Sequence, residues 1–373
     1  MIRAIAVCVF FVLAGCGQSN DSGDAAKTID EVSDVKADET VVFFRTSGSL
    51  DESKQEWHLP VHGWVYEPEE STSRRAAFEK LMFHEFGLAV SKETAGNFSQ
   101  RFNLLVADNE RGKKIVVNIA GGNHELSESA ENGHFKSTIV ISSADAAAHI
   151  KNGLIRYTAV TSSDESREFS GEIRLLDSKG LSVISDIDDT VKVSNVGDHK
   201  TLLEQTFLLD FAAAPGMAVL YREWSTEDTG FHFVSSSPWQ LYDPLREFLD
   251  RDGFPWASFS LKPLRFRDET LIDLFKKGTE TKPAAIEKIL DQYPERKFVL
   301  VGDSGEQDPE VYADFLRKRP DQILKVYIRN VTEESSDNDR FAVLFAGIDN
   351  DRWQLFDDPK TLGLPSITQG KSI

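Results

Sequence analysis

The sequence predicts a two-part chain: a mostly-β, sandwich-like domain over 40–179, then an α/β domain with a parallel sheet over 180–373. Three observations predict this. The chain has 373 residues, enough for two ordinary domains. Between 40 and 179, short strand-like runs are separated by turn-rich segments such as Gly121-Gly122-Asn123 and Ser162-Ser163-Asp164, the spacing of an antiparallel sandwich or barrel. From Gly180 onward, apolar runs alternate with helical patterns, which argues a parallel sheet covered on both faces.

Residues 1–15 read as a secretory leader. Met1-Ile2-Arg3 carries a positive charge, and 4–13 is almost wholly apolar but too short to span a bilayer comfortably. The run Leu13-Ala14-Gly15-Cys16 resembles the lipobox of bacterial lipoproteins, which implies a lipidated Cys16 as the mature amino terminus. Multiple acyl chains anchor stably where one does not. Gly17, not Asp, follows; by resemblance to Gram-negative sorting this implies the outer membrane. Cys8 lies inside the leader, so the mature chain has no pair for an internal disulfide. Residues 16–39, rich in Ser, Asp, Gly, Lys and Ala, read as a flexible tether. The net charge of -19 argues against nucleic-acid binding, which needs a basic footprint. It also opposes adsorption to an anionic membrane without an anchor.

Within 40–179, strand-like runs fall at 40–44, 62–66, 102–106, 114–119, 135–141, 154–160 and 169–176. The stretch 71–89 is helical in pattern, with Phe78, Leu81, Met82 and Phe86 at helical spacing. His58, His62 and His84 match no metal-ligand spacing and read as structural histidines. Beyond Gly180, strand runs at 183–184, 231–234, 298–301 and 323–328 alternate with helical stretches near 200–213, 239–249 and 282–290, and the tail from 359 has no clear period.

Ligands of such sheets gather at the carboxyl ends of the strands, and four motifs sit there. The first is Ser182-Val183-Ile184-Ser185-Asp186-Ile187-Asp188-Asp189-Thr190, with three carboxylates in four residues. Carboxylates that close repel one another unless a cation sits among them, and Mg²⁺ prefers such oxygen ligands. An acidic surface turn is the plainer reading of this pattern alone. The second runs from Phe231 through Val234 into Ser235-Ser236-Ser237-Pro238. Hydroxyls or backbone N–H groups there could hold phosphate oxygens, although Ser-Pro also simply starts helices. The third is Lys282, able to balance phosphoryl charge or to sit on the surface. The fourth runs from Phe298 into Gly302-Asp303-Ser304-Gly305-Glu306-Gln307-Asp308, a tight turn with carboxylates at a strand end.

The order of these four motifs resembles the signature of the haloacid dehalogenase superfamily of phosphohydrolases, whose parallel sheet is Rossmann-like. The stretches DIDDTVKVSNV (186–196), Pro215-Gly216-Met217, SSSPWQLY (235–242) and GDSGEQDPEVY (302–312) resemble the actin-patch-type phosphatidate phosphatase family, and 64–75 resembles the amino-terminal domain of its bacterial members. The resemblance implies Mg²⁺-dependent hydrolysis of a phosphomonoester, with phosphatidate to diacylglycerol as the characteristic reaction. It implies Asp186 as nucleophile forming an aspartyl-phosphate, and Asp188 as general acid/base whose backbone carbonyl reaches Mg²⁺. Thr190 would support the loop, with Asp189 as a loop hydrogen-bonder. Ser235 would bind phosphate beside Ser236, where many relatives carry Asn. Lys282 would balance charge, with Lys276, Lys277 and Lys288 as competitors. Asp303 would bind metal, with Asp308 as its partner or a further ligand.

The apolar residues of 191–224, among them Leu203, Phe207 and Phe211, fit either a lid suited to acyl chains or, preferably, a helix packing on the sheet. KPLRFR (262–267) could receive an anionic head group or be a strand end with solvated arginines. The leading expectation is a membrane-tethered Mg²⁺ phosphatase of a lipid phosphate. The alternatives are a phosphatase of soluble esters or phosphoproteins, and a non-catalytic binding lipoprotein.

Overall fold

The computed structural model describes residues 31–69, 72–263, 281–336 and 338–366. The leader, Cys16, the tether up to residue 30, Lys276, Lys277 and the 264–267 part of KPLRFR lie outside the described residues.

The first sheet is built from β1 (Thr40–Phe43), β2 (Thr46–Asp51), β3 (Glu56–Glu67), β4 (Asp108–Asn109), β5 (Val116–Ile119), β6 (Gly122–Glu125), β7 (His134–Ser142), β8 (Leu154–Ala159) and β9 (Ser170–Leu176), with α1 (Thr72–Phe86), α2 (Ala95–Val106) and α3 (Ser143–His149) between strands. The long β3 is its spine. β7 pairs along one edge from Glu56↔Ser142 to Trp64↔His134, and β2 and β1 share the other edge. The sheet is mixed rather than purely antiparallel, because β9 runs parallel to β2 (Thr46↔Ile173). β1 and β2 act as one partner of β3 interrupted at Phe44-Arg45, so β9 meets the second piece in parallel. Its core holds Leu59, Val61, Val117, Phe135, Ile155 and Ile173.

The strand expected at 102–106 is instead the end of helix α2. Its buried residues are Phe98, Arg101, Phe102, Leu105 and Val106, a helical spacing visible only when the segment is read from Ala95.

The second sheet is wholly parallel, in the order β12-β11-β10-β13-β14-β15. Its strands are β10 (Leu181–Ser185), β11 (Thr229–Pro238), β12 (Ser258–Lys262), β13 (Lys297–Asp303), β14 (Ile323–Arg329) and β15 (Trp353–Phe356). Helices α4 (His199–Phe207), α5 (Met217–Trp224), α6 (Tyr242–Arg251), α7 (Thr281–Gln292), α8 (Asp308–Lys318) and α9 (Asp339–Leu344) join them. α4 stops short of the expected 213, and the expected 239–249 helix opens with a 3-10 turn, Trp239–Leu241. All five residues of β10 are buried, as a central strand requires. α4 lays Leu203, Phe207 and Leu208 not on the sheet but against Phe78, Met82, Phe98 and Phe102 of α1 and α2. Among the described residues no helix is long and apolar enough to cross a membrane.

The two sheets share a core. Phe44, Trp64 and Tyr66 cluster with Val183, Trp239 and Tyr242. At this seam His62 Nε2 and His134 Nδ1 lie 3.0 Å apart, both buried, with Phe44 and Trp239 rings packed on them. Burial, aided by Lys136, pushes His134 down from 6.5 to about 4; burial, then Lys136, His134 and Lys288, pushes His62 well down. The folded state therefore prefers neutral rings. Below about pH 6.5 the unfolded chain takes up protons first, so stability falls with pH and the His134 contribution, on the order of 3 kcal/mol, is lost by about pH 4. Thermal unfolding of wild type between pH 7 and 4.5 should fall more steeply than that of His134→Gln. Parallel curves would remove His134 from the acid response.

Candidate active site

The site forms where β10, β11 and β13 end. Ser185 pairs with Phe233 and Val301, so the carboxyl ends of the three strands lie side by side. The ladder continues one step further, with Asp186 N–H donating to the Val301 carbonyl at 2.9 Å. The chain then turns, and Val191 and Lys192 N–H groups both return to Ile187 O. Asp189 makes the turn possible. It adopts φ 54°, a left-handed conformation that Asp tolerates. Its carboxylate accepts from the N–H groups of Ser194, Asn195 and Val196 at 2.7–2.8 Å.

Asp186 is fully buried, and neither carboxylate oxygen has a hydrogen-bond donor among the described residues. Its Oδ1 lies 2.9 Å from Lys282 Nζ, an ion pair outside hydrogen-bond geometry. Lys282 enters from the first turn of α7 and also contacts Asp308 Oδ1 at 2.5 Å and Glu306 Oε2 at 3.2 Å. Asp303, the last residue of β13, is fully buried. Its Oδ1 accepts from Gly305 and Glu306 N–H, while its Oδ2 has no donor among the described residues. Gly302 is required here: a Cβ would lie 2.3 Å from Asp308 Oδ2.

Carboxylate oxygens of Asp186, Asp303 and Glu306 all lie within 4.8 Å of one another. Asp308, the expected partner of Asp303 or further ligand, has its carboxylate engaged elsewhere; Asp188, expected at the metal through its backbone carbonyl, spends its carboxylate on a separate centre. Asp308 spends Oδ1 on Lys282 and Oδ2 on the Asp303 N–H. Glu306 stands in the third position, a residue the sequence reading quoted but gave no role. Burial pushes Asp186 well up; Lys282 opposes this, and Asp308, Glu306 and Asp303 add to it. Burial, then Asp308 and Glu306, pushes Asp303 well up too. Among the described residues, four carboxylates thus face one ammonium. Orphaned buried carboxylate oxygens with surplus negative charge suit a hard divalent cation.

Asp188 is a separate centre. Its Oδ1 meets Lys192 Nζ and Ser194 Oγ, each at 2.7 Å; its Oδ2 accepts from Ser237 Oγ at 2.8 Å and Ser235 Oγ at 3.2 Å. Burial raises its pKa, but Lys192 and the hydroxyls outweigh that and hold it at about 2. Ser235 therefore points at Asp188. Ser236 is half-buried and makes no side-chain hydrogen bond among the described residues. Thr190 is buried with its hydroxyl unpartnered among them. Lys288, the other described competitor for the lysine role, carries no contact to this cluster.

Lys192, Ser194, Arg340 and Glu306 have no role in the motifs alone, and Ser237 stands there only among the hydroxyls of the second motif. Arg340 of α9 donates to Ser304 O and Glu306 O at 2.9 and 3.1 Å, holding the loop that carries the acids. Two had a sequence signal: Lys192, four residues after Asp188, and Ser237, in the hydroxyl run after Val234. A cleft of about 710 Å³ at the seam of the sheets, lined by Arg45, Arg156 and Arg246 among others, contains none of these residues.

Residues 181–330 match the family model described as the phosphatidate phosphatase APP1 catalytic domain. An uncharacterized protein of Schizosaccharomyces pombe is 33% identical over 171 residues, 45% of this chain and 28% of that protein. Phosphatidate phosphatase APP1 of Saccharomyces cerevisiae is 33% identical over 162 residues, 42% of this chain and 27% of that one. The chain thus matches little more than a quarter of the length of these relatives. Among solved structures, a ferredoxin-NADP+ reductase from Plasmodium falciparum covers 78% of this chain and 96% of its own at 8% identity, but its TM-score of 0.15 carries no weight.

Proposed function

We propose that this chain is a phosphomonoester hydrolase of the haloacid dehalogenase type, acting on phosphatidate or a related lipid phosphate. One observation carries the reading: Asp186 and Asp303, buried at adjacent strand ends, present carboxylate oxygens that, among the described residues, have no donors and a single lysine beside them. The match of 181–330 to a phosphatidate phosphatase catalytic domain supports the substrate class.

In this reading an Asp186 oxygen attacks phosphorus in line, and the P–O bond to the leaving alkoxide breaks as the aspartyl-phosphate forms. Asp188 transfers the protons: one to the alkoxide, and later one from the water that attacks the aspartyl-phosphate and releases phosphate. With its pKa near 2, the resting Asp188 is anionic, the state of a base, so it must take up a proton before serving as acid. Lys282 offsets the repulsion between the Asp186 carboxylate and an incoming phosphate. Asp186, Asp303 and Glu306 would hold Mg²⁺, which when bound supplies charge neutralisation for the phosphoryl oxygens. Glu306→Gln should therefore weaken Mg²⁺ binding roughly ten- to a hundredfold in calorimetric titration. An unchanged affinity would exclude Glu306 from the ligand set.

The motif at 13–16 supports a lipid anchor at Cys16 in a bacterial envelope, which would hold the catalytic half at a membrane surface. The test is phosphate release from phosphatidate in mixed micelles, with Mg²⁺ and with EDTA, beside soluble monoesters. Release from the lipid that EDTA stops establishes the reading. Release from soluble esters alone keeps the chemistry and discards the lipid. No release from any ester leaves a non-catalytic binding role.

A further inference from the structure

We infer that Arg101, in the amino-terminal half, is a positioning residue for the acid/base centre: it fixes Lys192, and through it Asp188. The inference rests on the phosphatase reading above.

The linkage is contiguous. Arg101 projects from α2 and is buried at 4% exposure. Its Nη1 donates to the carbonyls of Thr206 and Leu209 at 2.9 and 2.7 Å, where α4 ends and its last carbonyls lack partners within the helix. Asn97, one turn earlier on α2, donates to Leu208 O and Asp210 Oδ1. The Arg101 guanidinium also stacks on the Phe211 ring at 3.8 Å. The same ring carries Lys192 Nζ at 5.0 Å. Beyond Phe211 the chain pairs with the segment after the first motif: Val193 N–H donates to Ala212 O, and Ala214 N–H to Val191 O. Lys192 is thus held by backbone on both sides and by the Phe211 face, 2% exposed, with its ammonium 2.7 Å from Asp188.

Arginine suits this post. A planar, permanently charged fork can lie flat on a ring and donate to two carbonyls at once, a geometry that a lysine ammonium, a point charge, does not reproduce. Burial lowers Arg101 only to about 10, so it stays charged. Removing it would strip the Thr206 and Leu209 carbonyls of their donor and bare the Phe211 ring, loosening the 205–214 segment that Asn97 and Arg251 still hold and, with it, the partner of Asp188. Asp186, Asp303, Glu306 and Lys282 are set by other contacts and would stay in place.

The test uses the full chain, with Arg101→Leu, Arg101→Lys, Lys192→Met and the Arg101→Leu/Lys192→Met pair. Arg101→Leu should lower kcat about ten- to fiftyfold with KM within about threefold, since a small displacement of a catalytic group costs turnover more than binding. Arg101→Lys should recover only part of the loss. In the Lys192→Met background, Arg101→Leu should cost less than about twofold, because the two act through one chain of contacts. Hydrogen exchange at 191–196 should speed at least about tenfold in Arg101→Leu, with 297–303 unchanged. A kcat within twofold of wild type, or the same factor lost in both backgrounds, overturns the inference. If wild type hydrolyses no ester, the phosphatase reading fails by itself, and exchange decides the linkage: unchanged protection at 191–196 refutes it, and faster exchange confined there upholds it. Should Arg101→Leu not fold, Arg101→Lys takes its place in each comparison.

Discussion

Asp186→Asn should abolish phosphate release, by on the order of 10⁴-fold or more, while raising the melting temperature of the metal-free protein. The two effects have one cause. In the proposed mechanism Asp186 supplies the attacking oxygen, and an amide oxygen is too weak a nucleophile to replace it. Yet the same carboxylate is buried beside Asp303, Glu306 and Asp308, with Lys282 as the one cation contacting it among the described residues. Burial already pushes its proton affinity well up, so its charge costs folding energy when no dication is present. The amide removes that charge at nearly constant volume and should add about 2–4 °C in EDTA. Phosphate release and thermal unfolding on one preparation check both. Turnover within tenfold of wild type would remove Asp186 as nucleophile, and a lower melting temperature would show that its charge is not a burden.

Lys282→Met should do the reverse to stability and the same to activity. The substitution leaves four carboxylates facing one another with no ammonium between Asp186, Glu306 and Asp308. Breaking a buried ion cluster by deleting one partner costs about 3–5 kcal/mol. Burial works against the Lys282 charge, but Asp186, Asp308 and Glu306 outweigh it and push its pKa well above the usual lysine range. Turnover should fall on the order of 10²–10³-fold, as for other losses of one fixed charge at a phosphoryl or oxyanion position. Combining it with Asp186→Asn should restore part of the lost stability, because the pair removes one charge of each sign. Strict additivity of the two melting shifts would mean that Lys282 and Asp186 do not interact.

The sequence announced the second sheet far better than the first. Alternation of apolar runs with helical stretches survives in β10, β11, β13 and β14, because a central parallel strand is buried on both faces and needs an unbroken apolar run. In the first half the same cue misled: Phe102 to Val106 looks like a strand, and the helical period emerges only with Phe98 included. Parallel pairing of β2 with β9 joins residues more than 120 positions apart and leaves no local trace. The site divides the same way. Asp186, Asp188, Lys282 and Asp303 stand in ordered motifs. Glu306 reaches the site because the Gly302–Asp308 turn aims it there, and Arg340 acts through backbone carbonyls, which no residue pattern records.

The ring cluster at the seam bears on how separable the two halves are. Phe44 lies 4.3 Å from Trp239 and 4.8 Å from Tyr242, and only residues 177–180 separate the last strand of one sheet from the first of the other. The halves are therefore packed as neighbours in one core rather than joined by an open linker. A catalytic half grafted onto a foreign partner would turn Trp239 and Tyr242 toward water and lose the clasp on α4. A substitution on either side of the seam must be accommodated by ring packing on the other.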